Sequence, residues 1–263
     1  MPKALQLAVF LLVFDGCYAA PNLNSTVAFE ADASPPSEIE LISEASKDKV
    51  IPLAPRPQTE APVSVGWFDV TFYWVAEEDP TEKQRKVLYD RTCRPLAKVS
   101  RSFARKIAME GTGRTRDGRT LNIAGHCRCK RQRRCYSETS LDKPWGLGVA
   151  KTPLAPFRSI AVDPDIMPFG TALYVPALDG VRMPGEPPWG NFVHDGCLLA
   201  ADRGGNVRGH QIDIFAGTRA YFLSLRQESE LREVELHEGA AHCQRLTDPT
   251  EMARLASAET VAL

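Results

Sequence analysis

Alternation of apolar and polar residues dominates residues 63–245, and it predicts many short β-strands rather than a helical bundle. The stretch 66–78 ("GWFDVTFYWVAEE") is rich in aromatic and β-branched residues, which favour strands. Strand–turn–strand patterns follow over 158–178 and 194–217, and "LREVELHE" (231–238) alternates like a closing strand. Together with frequent glycine and proline, this pattern favours a small, closed β-barrel.

Two segments have helical rather than strand spacing. Residues 95–110 carry apolar side chains on one helical face, at Leu96, Val99, Phe103 and Ile107. We predict an amphipathic helix that packs on the barrel and ends at Gly111. A second, shorter helix is predicted over 218–225, and "DG" at 117–118 predicts a hairpin turn between two short strands.

The N-terminus predicts export. Lys3 precedes the short apolar run "ALQLAVFLLVF", and "CYAA" offers small residues for cleavage after Ala19 or Ala20, so we predict a signal peptide over residues 1–20. The run is too short to span a bilayer comfortably. We expect the mature protein in the periplasm or at the outer membrane, with lipidation of Cys17 as an alternative to simple cleavage.

Composition divides the remaining chain. Residues 21–62 contain seven prolines, seven acidic residues, three basic residues and no glycine, so they predict a disordered linker. The folded domain is expected over 63–245, with an insertion at about 78–150 and a flexible tail over 246–263. The charge is balanced at 32 Lys+Arg against 33 Asp+Glu, so it favours no nucleic-acid or membrane partner. We expect a monomer without a cofactor.

Six cysteines follow the signal segment, and an even number in an exported chain predicts disulfides of undetermined connectivity: Cys93, Cys127, Cys129, Cys135, Cys197 and Cys243. The alternative is a metal cluster in "GHCRCKRQRRC" (125–135), which we disfavour because the spacing does not match paired C-x-x-C knuckles. The same loop contains five basic residues, which predict either a solvated loop or an electropositive rim for an anionic polymer: Arg128, Lys130, Arg131, Arg133 and Arg134.

Asp213 is the strongest candidate for chemistry. In "QIDIF", Ile212 and Ile214 face one side of a strand, while Asp213 and Phe215 face the other. If the isoleucines enter the barrel core, the carboxyl group faces a groove beside an aromatic ring, and poor solvation raises its pKa. A carboxylic acid that stays protonated near neutral pH is what glycoside cleavage requires of a general acid.

Two further aspartates lie nearby in sequence. Asp202 opens the turn "DRGG", and its glycines allow the chain to reverse so that Asp202 and Asp213 share one face. A second carboxylate nearby would raise one pKa further. Asp163, in "AVDP", is either a third member of the site or a turn residue that caps its own backbone.

These stretches resemble the three-aspartate (3D) domain family, whose members include enzymes of the membrane-bound lytic transglycosylase A type. The three segments occur in order as "AVDPDIMPFGTALYV", "ADRGGNVRG" and "QIDIF", with Asp163, Asp202 and Asp213 at the aspartate positions. "DVTFYWV" is similar to the first barrel strand of the family and puts its threonine at Thr71. Residues 78–150 lie outside the shared pattern.

The resemblance implies a mainly β fold, a six-stranded double-psi β-barrel, with the helical, disulfide-bonded segment as an insertion. It implies peptidoglycan as the partner and cleavage of the β-1,4 bond between N-acetylmuramic acid and N-acetylglucosamine. Asp213 would be the catalytic acid and base, assisted by Asp202. The substrate-binding positions implied for this chain are Asp163, Thr71, Gly204, Gly205, Arg208 and Phe215. Arg203 departs from the family pattern and would lower the pKa of Asp202 if it curled back.

Two other functions stay open. One is a hydrolase of the same bond, in which Asp202 activates water. The other is a protein that only binds cell-wall glycan, since the chain lacks the large carbohydrate-gripping domain of the best-known family members and only the insertion could supply a second wall for a groove.

Overall fold

The structure is a computed structural model that describes residues 61–130, 132–149 and 151–257. The predicted signal peptide, Cys17 and nearly all of the predicted linker lie outside the described residues. The strands, in chain order, are β1 (Val63–Tyr73), β2 (Ala76–Glu77), β3 (Gln84–Tyr89), β4 (Pro95–Ser100), β5 (Thr112–Arg114), β6 (Thr120–Cys129), β7 (Gln132–Glu138), β8 (Ser159–Ala161), β9 (Ala172–Tyr174), β10 (Cys197–Asp202), β11 (Gln211–Phe215) and β12 (Glu233–Glu238). The helices are α1 (Arg101–Glu110), α2 (Arg219–Glu228) and α3 (Pro249–Ala256), with 3-10 helices at Pro176–Leu178 and Ala241–Thr247.

A closed six-stranded barrel forms the body of the protein, in the order β1-β11-β8-β10-β9-β12. The prediction of a closed β-barrel is therefore confirmed. Two neighbouring pairs are parallel, β1 with β11 and β8 with β10, and the other neighbours are antiparallel.

Alternation along the strands separates two apolar clusters. One fills the barrel and includes Phe68, Leu198, Ile212 and Ile214. The other contains side chains of the opposite strand faces, such as Phe215, together with the chain that follows β12. Since successive side chains of a strand point to opposite faces, the same strands supply both clusters.

The prediction of a flexible C-terminal tail is wrong for the residues that the structure describes. Residues 246–257 were expected to be a flexible tail, but α3 occupies Pro249–Ala256 and begins at Asp248, whose side chain accepts a hydrogen bond from the Thr250 N–H. Met252 is fully buried against the outer apolar cluster. Burial of this apolar face outweighs the polar composition that suggested disorder.

The insertion forms its own small sheets. Strands β2, β5, β6 and β7 make a four-stranded sheet, and β3 pairs with β4 as a hairpin. The Asp117-Gly118 turn between β5 and β6 agrees with prediction. The helix predicted from Pro95 is shorter than expected, because residues 95–100 pair with β3, and α1 begins only after Ser100, whose side chain accepts the Phe103 N–H at 3.1 Å. Gly111 ends the helix as predicted.

Three disulfides tie the described chain together: Cys93–Cys129, Cys127–Cys135 and Cys197–Cys243. The first two stabilise the insertion, and the third links β10 to the 3-10 helix at Ala241–Thr247. The expectation of disulfides is confirmed. Although the sulfurs of Cys127, Cys129 and Cys135 lie within 4.8 Å of one another, each is bonded in a disulfide and offers no thiolate to a metal.

None of the helices in the described ranges is long and apolar enough to cross a membrane.

A pair of methionine substitutions tests whether α3 belongs to the folded core. Met252→Ala removes a fully buried side chain and should lower the free energy of unfolding by about 2–4 kcal/mol. Met109→Ala is the matched control, because Met109 is 76% exposed and its loss should change stability by less than about 0.5 kcal/mol. Urea denaturation of both variants measures the difference, and equal stabilities would contradict a packed α3.

Candidate active site

Four neighbouring strands place a row of side chains on one face of the barrel wall. Thr71 of β1 lies opposite Asp213 of β11, and Ala161 of β8 lies opposite Asp213 on one side and Asp202 of β10 on the other. Positions directly opposite one another in a sheet project to the same face. The row therefore runs Thr71, Asp213, Ala161, Asp202, and within this row the methyl group of Ala161 lies between the two aspartates.

This arrangement corrects the expectation that a tight turn after Asp202 brings the two aspartates together. The glycine turn after Asp202 does not make β10 and β11 a hairpin, because β8 lies between them in the barrel. Strand spacing of about 4.8 Å puts the two aspartate backbones about 10 Å apart. Asp202 and Asp213 share a face in this arrangement, with the small side chain of Ala161 at the strand position between them.

Asp213 is held in a poorly hydrated position by its neighbours in sequence. Ile212 and Ile214 are buried inside the barrel, so Asp213 must face outward, where it is itself partly buried. Its Oδ1 atom has no hydrogen-bond partner among the described residues. Burial raises the pKa of Asp213 to about 7; the hydroxyl of Thr71 opposes this rise, and the negative charges of Glu110 and Asp202 add to it.

Asp202 lies in a more strongly hydrogen-bonded environment. Tyr73 donates its hydroxyl hydrogen to Oδ2 of Asp202 at 3.1 Å, and the Arg203 N–H donates to Oδ1 at 2.8 Å. Burial raises the pKa of Asp202 to about 6, and these donors limit the rise. These two donors favour the ionised form of Asp202, whereas Oδ1 of Asp213 has no such donor among the described residues.

Tyr73 and Glu110 belong to the site although the sequence interpretation omitted them. Tyr73 is two residues after Thr71, so strand alternation alone would have put both on the same face. Burial raises its pKa well above the ordinary value, and the Asp202 and Asp213 carboxylates raise it further. Glu110 ends helix α1 of the insertion and accepts the Trp74 N–H at 3.3 Å. Nothing in the local sequence signals this contact, since it joins two elements 36 residues apart.

Burial also raises the pKa of Glu110, and the Trp74 N–H opposes that shift. The carboxyl group of Glu110 contributes to the raised pKa values of Asp213 and Tyr73. Three carboxyl groups and one phenol are thus electrostatically coupled, and one of them comes from outside the barrel.

Asp163 holds a loop rather than joining the row. Its Oδ2 accepts the Gly209 N–H at 2.8 Å and its Oδ1 accepts the Asp165 N–H at 3.2 Å. These backbone donors, that of Gly209 first, keep the pKa of Asp163 below its usual value. The alternative that Asp163 is a structural residue is the one the geometry supports, because Oδ2 anchors the chain between β10 and β11 at Gly209 and Oδ1 closes the turn after β8 at Asp165.

That loop contains three more of the predicted residues. A Cβ on Gly204 would lie 2.1 Å from Cγ2 of Val207, so a side chain there would force the loop to open. A Cβ on Gly205 would meet no atom within 4 Å. Arg208 is exposed, and its guanidinium donates to the neighbouring Val207 carbonyl. The close approach of Val207 thus explains why position 204 is a glycine. The exposed guanidinium of Arg208 is accessible to a ligand.

Phe215 is wrongly predicted as a substrate-binding residue. It is 1% exposed, and its ring packs against Tyr73 at 5.0 Å and Trp145 at 6.1 Å between centroids. A fully covered ring cannot contact a sugar. Its role is to support Tyr73, and through it the hydrogen bond to Asp202.

A cavity of about 460 Å³ lies beside Thr71, between β1 and α2. Trp74 and Phe222 stack at its wall, with centroids 5.1 Å apart and planes inclined by 19°. Such aromatic faces, with Thr71 at the edge, suit the flat apolar side of a sugar ring.

Comparison with known proteins identifies the segment that carries this site. Residues 158–223 match the model of the 3D domain. The chain contains a 3D domain. The matched segment includes Asp163, Asp202 and Asp213, whereas Thr71, Tyr73 and Glu110 lie before it. No sequence of a curated protein matches the chain.

Several solved structures are similar to the chain beyond the 3D domain. E. coli MltA with bound chitohexaose shares 15% identity and covers 66% of this chain and 71% of its own, with a TM-score of 0.44. A membrane-bound lytic murein transglycosylase from Agrobacterium tumefaciens shares 15% identity over 69% and 76%, with a TM-score of 0.41. The lytic transglycosylase LtgG of Burkholderia pseudomallei shares 16% over 65% and 71%, with a TM-score of 0.36. Likeness at this level does not determine activity.

The raised pKa of Asp213 predicts a pH-dependent effect on stability. A carboxyl group with a folded-state pKa near 7 and an unfolded value near 3.9 costs the folded state free energy as pH rises through that window. Asp213→Asn should therefore stabilise the protein by about 1–3 kcal/mol at pH 8, after allowance for partial exposure, and by much less at pH 4.

Asp163→Asn is the matched control, because the pKa of Asp163 is lowered and its charge stabilises the folded state above the unfolded pKa. It should give no gain at pH 8. Chemical denaturation at both pH values measures these effects, and a destabilised Asp213→Asn protein at pH 8 would rule out a strained carboxylate.

Proposed function

We propose that the protein is an exported lytic transglycosylase that cleaves the β-1,4 bond between N-acetylmuramic acid and N-acetylglucosamine in peptidoglycan. The observation that carries this proposal is Asp213: a partly buried carboxyl group, raised in pKa to about 7, with one unpartnered oxygen beside Thr71. Three disulfides in the described chain favour an oxidising compartment such as the periplasm.

Asp213 performs both proton transfers in this mechanism. As an acid, it donates its proton to the glycosidic oxygen while the bond from that oxygen to the muramyl anomeric carbon breaks. As a carboxylate, it then takes the proton of the muramyl C6 hydroxyl, whose oxygen bonds to the same anomeric carbon. The product is a 1,6-anhydro sugar, no water is consumed, and Asp213 ends protonated as it began.

The neighbouring groups tune this carboxyl group. Asp202, whose ionised form two hydrogen-bond donors stabilise, provides negative charge that stabilises positive charge at the anomeric carbon and keeps Asp213 protonated. Tyr73 orients Asp202 through its hydroxyl hydrogen bond. Thr71 lies opposite Asp213 and favours the ionised form needed in the second proton transfer.

The insertion contributes to the site through Glu110. This residue of helix α1 brings a third carboxyl group near Asp213 and accepts the N–H of Trp74, which precedes the insertion and presents an aromatic face at the adjoining cavity. We assign the insertion the role of second groove wall. We also propose that the barrel is of the double-psi type, which its two parallel strand pairs support.

A hydrolase of the same bond is the second candidate. Asp202 and Asp213 lie two strands apart, and a separation of about 6.5–9.5 Å between carboxyl groups is typical of enzymes in which one carboxylate activates water. The pKa of Asp202, raised only to about 6, leaves it ionised at neutral pH and able to act as that base. A protein that only binds glycan is the third candidate, and turnover excludes it.

Digestion of purified sacculi distinguishes the three candidates. We expect anhydro-muropeptides, one water lighter than hydrolytic products, and a loss of at least about 1,000-fold in rate for Asp213→Asn, because removal of the acid affects both proton transfers. Mass spectrometry of the soluble products is the measurement. Products with only reducing ends would establish the hydrolase, and binding without any product would establish the third candidate.

Glu110→Gln tests the coupling between the insertion and Asp213. Loss of the neighbouring negative charge should lower the pKa of Asp213, so the alkaline limb of the pH–rate profile should move to lower pH by a few tenths of a unit. Gln retains an acceptor for the Trp74 N–H, which keeps the local fold. Asp179→Asn, at an exposed site on another loop, is the control, and an unshifted profile for Glu110→Gln would refute the coupling.

A further inference from the structure

Positive charge is concentrated in the insertion. Residues 83–138 contain seventeen Lys or Arg and four Asp or Glu, although the whole chain has 32 basic and 33 acidic residues. The chain is balanced in net charge because a strongly cationic segment is offset by an excess of acidic residues in the rest of the sequence. Fields of this kind act locally, since charges are screened beyond about 10 Å at moderate salt.

The disulfide-bonded end of the insertion carries the most closely grouped of these charges. We define the cationic face by five exposed basic residues that surround the end of the β6–β7 ribbon: Arg91, Arg128, Lys130, Arg133 and Arg134. Arg133 and Arg134 are consecutive in β7 and project to opposite sides of this ribbon. None of the five forms an ion pair with another described residue. By contrast, Arg94, Arg114, Arg116 and Arg119 of the same segment are each paired with a carboxylate.

Contacts between the two hairpins place Arg91 beside the β6–β7 ladder, next to Arg134. The Arg91 guanidinium lies against Gly125, where a Cβ would approach its Nη2 atom to 2.7 Å. Gly125 pairs with Cys135 and thus lies next to Arg134 in the β6–β7 ladder. The Gln132 side chain donates to the Val87 carbonyl and so joins β7 to β3.

The protein holds this face together against charge repulsion. Two disulfides, Cys93–Cys129 and Cys127–Cys135, crosslink the hairpins beneath it, and the buried ring of Tyr89 packs with them. Lys130 adopts a positive φ of 44° at the β6–β7 turn, with its ammonium group 5.7 Å from the Tyr89 ring centroid. A non-glycine residue in this conformation and five uncompensated cations are both unfavourable, so the face is maintained at the expense of stability.

We propose that the cationic face is a second binding surface for peptidoglycan, which recognises the carboxylates of its peptide stems outside the catalytic groove. This inference rests on the proposed function for the choice of polymer. Peptide-bearing glycan presents carboxylates at repeated intervals along a strand, and spaced guanidinium groups bind such carboxylates by charge-assisted hydrogen bonds. The surface attaches the enzyme to the polymer, while the barrel cleaves it.

Nucleic acid is the competing polyanion. Proteins that bind single-stranded nucleic acid stack its bases on exposed aromatic side chains. Tyr89 and Tyr136, the two tyrosines of the β3–β4 and β6–β7 hairpins, are buried and provide no platform for base stacking, which leaves the single imidazole of His126 as the exposed ring. Carboxylate recognition requires no such platform.

Binding to sacculi, measured with the full disulfide-bonded chain, tests the proposal. Arg128→Gln/Arg133→Gln/Arg134→Gln should bind intact sacculi at least about 10-fold more weakly at 50 mM NaCl, with a shallower salt dependence. Lys151→Gln/Arg182→Gln/Arg219→Gln removes the same charge from exposed residues elsewhere and should bind within about twofold of wild type. Wild-type binding should weaken when an amidase has removed the peptide stems from the glycan.

Cleavage and binding, measured separately, distinguish a failure of this proposal from a failure of the enzymatic one. Cleavage of a short soluble glycan fragment should be unchanged in the Arg128→Gln/Arg133→Gln/Arg134→Gln protein, which also shows that this protein is folded. If wild type binds in a salt-sensitive way but yields no cleavage product, the enzymatic proposal fails and the cationic face stands. Equal binding of both triple variants, equal binding to stripped glycan, or tighter binding to duplex DNA than to sacculi at the same salt would overturn it.

Discussion

Incomplete hydration of the Asp213 carboxyl group is the constraint on which the candidate chemistry depends. A carboxylate in water loses its proton near pH 4 and cannot act as an acid at neutral pH. Where the same group is partly buried, ionisation costs free energy and the pKa rises to about 7. A pKa near the working pH allows one residue to give a proton and take one back, which is the requirement of a mechanism with a single acid and base.

The barrel provides this environment through β8, one of its shortest strands. Because β8 lies between β10 and β11, it separates two aspartates that are only eleven residues apart in sequence. Ala161 fills the position between them with one methyl group. A larger residue there would occupy the space between the carboxyl groups, and a closer pairing would bring the two negative charges into stronger conflict. Asp163 then ties the loop between β10 and β11 to the turn after β8, because one oxygen accepts the Gly209 N–H and the other accepts the Asp165 N–H.

The insertion adds two different electrostatic features to the barrel. Its helix α1 ends at Glu110, which introduces negative charge near Asp213, whereas its disulfide-bonded end presents unpaired positive charge. A negatively charged site suits a reaction that develops positive charge on a sugar, and a positively charged face suits attachment to carboxylates. The two features are compatible because they occupy different parts of the insertion, Glu110 at the end of α1 and the cationic face on the β3–β4 and β6–β7 hairpins.

The sequence by itself determined the local features: strand alternation puts Ile212 and Ile214 in the core and turns Asp213 outward, an even number of cysteines predicts disulfides, and Gly111 ends a helix. Strand alternation also puts Tyr73 on the same face as Thr71, although the sequence interpretation did not include Tyr73 in the site. Tertiary structure decided which strands are neighbours, and hence that Ala161 lies between the aspartates, that Phe215 is covered and that Glu110 reaches Trp74. It likewise decided the cysteine pairing and the packing of α3. These features depend on contacts between distant segments, whereas periodicity reports only which face of its own strand or helix a side chain occupies.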